Sequence, residues 1–374
     1  MYVALRLIFE RWSVQISPQL ISPQGMSTVI FFYYCIASGE VDAAVIEIIT
    51  ARSPGSFPSL RTCESVEFGA EMVCGRMGGL SRRQREICKS SPEAMIAIAD
   101  GIKLAMDECH YQFNYHRWNC SALNKKHSLG YVISVGSKEA AYTYSIVSGG
   151  VSYAISRACS RGELSTCGCD LSSSNAHASW KWSGCGVDVN YGVKLARKFL
   201  DAREIEFDAR SRMNLHNNKA GRMAVKNNMV EICKCHGVSG SCSMKTCWKG
   251  LPHFRSIGAH LMDKYHRARR GVWNRSSGLL TMKKKLKPRG TDLIYLEPSP
   301  NYCQANSNLG SLGTKGRICN KTSTGMGSCN VLCCGRGYNT HQNLVSKQCN
   351  CKFHWCCYVQ CSKCTDLVQV HSCK

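Results

Sequence analysis

The sequence predicts an α+β chain: an α-helical N-terminal domain carrying a disulfide-stapled β-hairpin, then a small cysteine-rich C-terminal domain built of β-hairpins. Three observations lead there. Apolar residues recur at helical spacing in several stretches between residues 91 and 232. Two cysteine pairs, Cys233/Cys235 and Cys242/Cys247, flank a tip of small residues, His236 to Ser241. Cysteines crowd the last 74 residues so densely that bridges are expected to replace much of an apolar core. At 374 residues the chain is long enough for two domains.

Composition places the molecule. Twenty-six cysteines belong to an oxidising compartment. Twelve lie between residues 64 and 300 and twelve between 301 and 374, even numbers that suit two separate bridge frameworks, with Cys35 and Cys63 preceding both. The 48 basic and 25 acidic residues give a net charge of +23, which points to a polyanionic partner. In a secreted chain that partner is a sulfated glycosaminoglycan or an anionic cell surface, not nucleic acid.

Residues 1–62 read as a signal or pro region. Val29–Ala37 is an apolar run soon after Met26, and Ala37-Ser-Gly39 is a small-residue cleavage site. Cleavage there leaves Cys63 as an odd thiol. No other apolar run approaches the ~18 residues of a membrane span. The α-rich domain is expected over 63–285. Ser91 and Pro92 supply a cap and first turn, and Met95, Ile98, Ile102, Met106 and Cys109 follow on one helical face. Ala141, Tyr144, Val147, Val151, Ala154 and Ala158 repeat the pattern, with Gly149-Gly150 as a weak point. Residues near 189–232 also read as helical. Such stripes are core.

Nested pairing, Cys235 to Cys242 inside Cys233 to Cys247, would staple the hairpin. Four cysteines allow three connectivities, and pairing within Cys-x-Cys is the one that geometry disfavours. Glycines at 237 and 240 free the tip backbone and leave the Ser239 hydroxyl, flanked by Val238 and Gly240, standing out. An ordinary Gly/Ser turn is one alternative, and a zinc site, poorly spaced for common zinc motifs, is another. Gly237-Val-Ser-Gly-Ser241 lacks the final glycine of a nucleophile elbow, so a catalytic serine is rejected.

Phe254–Arg270 reads as a basic amphipathic helix ending in His266-Arg-Ala-Arg-Arg270, and Lys283–Arg289 is a second basic run. Together they make a candidate polyanion site. The C-terminal domain is expected over 286–374, opening with the strand-like Asp292–Leu296. Nested bridges Cys349–Cys364 and Cys351–Cys361 would frame a finger at Phe353–Val359, with a vicinal Cys356–Cys357 disulfide at its apex. Phe353, Trp355 and Val359 then stand exposed as a contact surface. Sequons occur at Asn119, Asn274 and Asn320. The spacings Cys109/Cys120, Cys159/Cys167 and Cys169/Cys185 suggest local bridges.

Cys233–Trp248, followed by Leu251-Pro-x-Phe-Arg255, resembles the signature of the Wnt secreted signalling proteins. Leu80-Ser-Arg-Arg-Gln-Arg-Glu-Ile-Cys88, Arg117-Trp-Asn-Cys120, Trp180-Lys-Trp-x-Gly-Cys185 and Asn214-Leu-His-Asn-Asn-x-Ala-Gly-Arg222 are similar to that family too. The likeness runs from about Cys74 to the C-terminus. It departs in residues 1–62, and at Lys219, where many members carry glutamate. The resemblance implies a ligand, not an enzyme, with neither cofactor nor metal. It implies a mono-unsaturated fatty acyl ester on Ser239, added by an endoplasmic-reticulum acyltransferase and shielded by a lipid-binding carrier. Ser239 on the thumb and Phe353–Val359 on the finger, Cys356 and Cys357 included, would hold opposite sides of a Frizzled cysteine-rich domain. A low-density-lipoprotein-receptor-related co-receptor would join them, and heparan sulfate proteoglycan would hold the protein in the matrix and at the cell surface. The same resemblance supports the three local bridges and raises Asn119 and Asn320 as glycan sites. Two other classes remain at this point: a lipid-free heparin-binding structural factor, and a secreted hydrolase, for which no acid/base constellation accompanies Ser239.

Overall fold

The computed structural model describes residues 19–21, 28–37, 40–50, 74, 80–120, 135–170, 185–204, 208–274, 279–282, 288–306, 309 and 311–374. Cys63, the Trp180–Gly184 part of one motif and Lys283–Lys287 lie outside the described residues. Two compact units, Met1–Val66 and Glu67–Lys374, divide the chain. In the first, β1 (Gln19–Ile21), β2 (Thr28–Ala37) and β3 (Glu40–Thr50) pair antiparallel in the order β1-β2-β3. The apolar run read as a leader is therefore a strand in this structure, in keeping with its β-branched and aromatic residues.

The second unit begins with helices. α1 (Arg82–Ser90) starts in a capping box: the Gln84 N–H donates to Ser81 Oγ at 3.3 Å and the Ser81 N–H to Gln84 Oε1 at 3.0 Å. α2 (Pro92–Gln112) starts at the expected Ser91-Pro92. Its buried face, however, is Ala94, Ala97, Ile98, Gly101, Ala105, Glu108 and Cys109, while Met95, Ile102 and Met106 are only half-buried. The reason is the neighbour, α3 (Lys138–Ser160), capped by Ser137. A Cβ added at Gly101 would lie 2.5 Å from Val151 Cα, and one at Gly150 would lie 2.4 Å from the Gly101 carbonyl. The Gly149-Gly150 pair, expected as a weak point, sits in an unbroken helix where two backbones nearly touch. Short β4 (Cys169–Asp170) and β5 (Gly186–Val187) pair after it.

The stretch 189–232 is not one helix. α4 (Val189–Leu200) gives way to a 3-10 turn at Asp201–Arg203, and α5 (Ala209–Asn227) follows. The break puts Asp201 where the buried Arg222 guanidinium grips both its oxygens, at 2.9 and 3.0 Å, while also donating to Ser148 Oγ at 3.2 Å. Gln84 Nε2 ties α1 to the end of α4 by donating to the Phe199 carbonyl at 2.9 Å. After α5 comes the hairpin of β6 (Val230–Cys235) and β7 (Lys245–Gly250). The following helix, α6 (Phe254–His266), is shorter than expected. Arg269 and Arg270 belong instead to β8 (Arg269–Asn274), which pairs antiparallel with β9 (Leu279–Met282) and parallel with β10 (Ile294–Tyr295). Val272 and Trp273 favour that extended state.

Aromatic edges meet at the middle of the main core. The Phe113 ring packs edge-on against Trp118 and Tyr142 (both 4.9 Å) and Tyr265 (5.0 Å). Leu293 and Tyr302 belong to the same cluster. Glu139, almost fully buried, accepts hydrogen bonds from the hydroxyls of Tyr265 (2.8 Å), Ser299 (3.0 Å) and Tyr302 (3.2 Å).

Beyond lie β11 (Ala305–Asn306), β12 (Ser311–Leu312), β13 (Ile318–Cys319), α7 (Cys329–Leu332), β14 (Tyr338–His354) and β15 (Tyr358–Cys373). Their buried cluster is Cys319, Cys329, Leu332, Cys333 and Cys373: sulfur does stand in for an apolar core there. Two arginines join this part to the helices. Arg317 donates to the carbonyls of Asn114 (2.8 Å), His116 (2.7 Å) and Arg117 (2.8 Å), and Arg117 donates in return to the Val331 carbonyl at 2.9 and 3.1 Å. Among the described residues, no helix is long and apolar enough to cross a membrane.

Candidate functional site

Two stapled hairpins carry the candidate residues. In the first, β6 and β7 pair from Val230↔Gly250 to Cys235↔Lys245, and the directly opposed Cys233 and Cys247 are bonded. Cys235–Cys242 closes the tip inside that bridge. All four sulfurs are thus committed to one another, which removes the thiolates a zinc site would need. Around the inner bridge the chain bonds to itself. The His236 N–H donates to the Met244 carbonyl, Gly237 to Ser241 and Gly240 to Gly237, each at 2.9 Å, and Ser241 to Val238 at 3.1 Å. Gly237 is needed for this closeness, since a Cβ there would lie 2.2 Å from Ser243 Oγ and 2.4 Å from Ser241 Oγ.

At the apex Ser239 is left-handed, with φ 58° and ψ 26°, and Gly240 follows at φ 76°. A non-glycine residue held there is uncommon. Val238 beside it is 88% exposed. The neighbouring hydroxyls of Ser241 and Ser243 bond to each other at 2.8 Å, and the His236 ring turns to Thr246 Oγ1 at 3.2 Å. Ser239 is exposed and, among the described residues, has no hydrogen-bond partner. What remains is a hydroxyl offered outward on a rigid, nearly featureless loop.

The second hairpin is longer than the sequence suggested, because β14 and β15 stay paired from Tyr338↔Cys373 to His354↔Tyr358. Bridges Cys349–Cys364 and Cys351–Cys361 staple its outer end. Between them the register shifts at a bulge where Asn350 takes φ 47°. Past it Phe353 opposes Val359 on one face, and on the other the His354 and Tyr358 rings stack at 5.0 Å. Trp355, 92% exposed, leads the turn, with Phe353 at 70% and Val359 at 58%. At the apex the Cys356 and Cys357 sulfurs lie 2.6 Å apart, longer than a bond and well inside the non-bonded contact of two sulfurs. A disulfide needs about 2.05 Å, and the ring that adjacent cysteines must close is tight. Here the turn is held by its backbone, with φ 76° at Cys356 and 128° at Cys357, and by the staples below.

Sequence reasoning missed the middle of this hairpin. Leu344 and Leu367 face each other and are 75% and 60% exposed. Once the strands are registered their pairing follows, but the register depends on the bulge. The structure also joins Cys109–Cys120, Cys159–Cys167 and Cys169–Cys185. It adds pairs that spacing did not assign: Cys74–Cys88, Cys303–Cys334, Cys319–Cys329 and Cys333–Cys373. Of the sequons, Asn320 is exposed, and its Oδ1 accepts from both the N–H and the hydroxyl of Thr322 at 2.9 Å. Asn119 is half-buried beside bridged Cys120, and Asn274 is exposed at the end of β8. Arg267, Arg269 and Arg270 are described, whereas Lys283–Lys287 of the second basic run lie outside the described residues.

Comparison with known proteins gives a consistent result. The family described as "wnt family" matches residues 76–374. Protein Wnt-5b of Danio rerio is 48% identical over 318 residues, covering 82% of this chain and 88% of that protein. Protein Wnt-5a of Xenopus laevis is 43% identical over 362 residues, 94% of each. Among solved structures, a chain in the complex of human WLS with WNT8A aligns with a TM-score of 0.55 and 38% identity, covering 75% of this chain and 93% of that one.

Proposed function

The chain belongs to the Wnt family, whose members are signalling ligands and not enzymes, and from that premise we propose that it is a secreted, acylated ligand of Frizzled cysteine-rich domains. An endoplasmic-reticulum acyltransferase esterifies Ser239 with a mono-unsaturated fatty acid, and a lipid-binding carrier shields the chain on the way out. At the cell surface the acylated thumb, with Val238 and Gly240 around the ester, takes one side of the receptor domain. Phe353, Trp355, Cys356, Cys357 and Val359 take the other. A low-density-lipoprotein-receptor-related co-receptor completes the assembly and starts β-catenin or non-canonical signalling. Heparan sulfate proteoglycan retains the protein in the matrix through the basic runs at 266–270 and 283–289, and glycans on Asn119, Asn274 and Asn320 aid its export.

The observation that carries this reading is the exposed Ser239 hydroxyl on a doubly bridged tip. Each methylene buried from water is worth about 0.8 kcal/mol, so a long acyl chain supplies roughly 10 kcal/mol before association costs. That energy carries no sequence information, and the aromatic finger supplies the choice among receptors. Mass spectrometry of the Ser239 peptide from protein secreted by animal cells tests the proposal. An acyl mass lost on ester hydrolysis is expected. An unmodified Ser239 on efficiently secreted protein overturns it in favour of a lipid-free, glycan-binding factor.

A further inference from the structure

A groove of about 1270 Å³ opens between α1, α4 and α5, away from both hairpins in sequence. It exceeds the ~300–1,000 Å³ typical of small-molecule sites. Six exposed cations line it: Arg83 from α1, Lys194, Arg197 and Lys198 from α4, and Arg212 and Lys219 from α5. Counting Arg222, seven Lys/Arg face two carboxylates. Both carboxylates are engaged. Glu86 pairs with Arg82 at 3.4 Å, and Asp201 is held bidentately by the buried Arg222, with the exposed Arg197 4.0 Å from its Oδ2. The lining is thus strongly positive and concave, with Ile87, Val193, Leu215 and Met223 as apolar patches between the charges. None of these cations belongs to the basic runs at 266–289.

We propose that this groove is a binding site for a linear sulfated polysaccharide, separate from the 266–289 runs. Like charges placed this close on three helices repel one another, and a polyanion relieves that repulsion. Three features select the ligand. The volume suits several units of a chain. The concavity favours an extended polymer carrying separate anionic groups over the plane of a bilayer. The mixed charged and apolar lining fits sulfate groups set on sugar rings. The inference rests on the extracellular placement proposed above, and not on acylation or receptor contact.

The test uses full-length secreted protein on immobilised heparin across a salt series. The variant Lys194→Glu/Lys198→Glu/Lys219→Glu alters exposed side chains only. It is expected to weaken binding at least tenfold at physiological salt and to lower the slope of log K against log salt by about 3. The matched variant Arg267→Glu/Arg269→Glu/Arg270→Glu is expected to lose less. A Lys→Gln version of the groove triple, which adds no negative charge, covers the case in which the Glu triple is not secreted. Unchanged affinity and slope in the groove variants, with loss confined to the 267–270 variant, overturns the proposal. So does a groove-dependent preference for phosphatidylserine vesicles over heparin, which assigns the face to membrane. Binding of the groove variants to a Frizzled cysteine-rich domain is expected to be unchanged, so failure of the groove and failure of the receptor reading appear in different measurements.

Discussion

The two hairpins use the same staple for opposite ends. Each has an outer and an inner bridge near its tip. In the thumb those bridges enclose glycine and serine, and the loop's hydrogen bonds are spent within itself. In the finger they stop short of the apex and leave Phe353, Trp355 and Val359 projecting. A loop of small residues has little surface with which to discriminate partners, yet it holds one hydroxyl in a constant place, as the proposed acylation requires. A tip of large exposed side chains suits the proposed receptor contact as it stands. Rigid backbone serves both, because neither tip has a core beneath it to hold its shape.

Four changes probe that contrast. Ser239→Ala has the largest expected effect: acyl mass, secretion and receptor activation are all lost, while the rest of the fold is kept. Normal signalling by this variant would show that the thumb is not the acylated element. Next comes the inner staple. Cys235→Ser/Cys242→Ser frees a short loop, at a cost of roughly 2–3 kcal/mol in local stability, and acylation at Ser239 is expected to fall severalfold by mass spectrometry. Full acylation would mean that the tip's shape does not matter to its modification. Trp355→Ala is expected to weaken receptor-domain binding about tenfold to thirtyfold, near 2 kcal/mol, and to leave the acyl group in place. Lost acylation, or unchanged affinity, would remove the division of labour between the hairpins.

The smallest effect concerns the junction below both. His116 lies among Phe113, Tyr265 and His266, with both ring nitrogens buried and unpartnered among the described residues. Burial first, then His266 and Arg317, push its pKa down from 6.5 to about 4, against the opposing pull of Glu139. The unfolded chain therefore takes up this proton at a higher pH than the folded one. The stabilisation is complete above about pH 6.5 and is lost as pH falls toward about 4. A thermal melt is expected to drop across that window, and His116→Phe to flatten the drop. An identical pH profile in the variant would place the acid sensitivity elsewhere.

Much of this contrast was legible in the residues. Cysteine spacing gave both staples, because bridges join positions close in sequence, and the Gly/Ser tip marked the thumb. Hydrophobic periodicity found α2 and α3, and the predicted α2 stripe does pack on the core, with Ile98 and Cys109 buried, but it passed over the tightest contact. It rewards large apolar side chains, whereas this contact is made by Gly101, Ala105 and Gly150, whose use is the absence of bulk. The end of α6 was overrun because Arg267–Arg270 suits a helix as well as a strand, and the partner that settles it, Ile294–Tyr295, is 25 residues from Arg269 and Arg270. The vicinal pair at 356–357 was expected from adjacency alone. The basic groove left no local sign at all, because its charges come from three helices.

The left-handed backbone at Ser239 has one more consequence. Serine and threonine offer the same hydroxyl, but threonine's extra methyl group stands on the Cβ that a φ of 58° already crowds. The loop therefore admits an unbranched alcohol at its apex and penalises a branched one, a filter that would act ahead of the acylation proposed above. Under that proposal, selectivity that would look as if it belonged to the modifying enzyme is partly written into the torsion angle of its substrate.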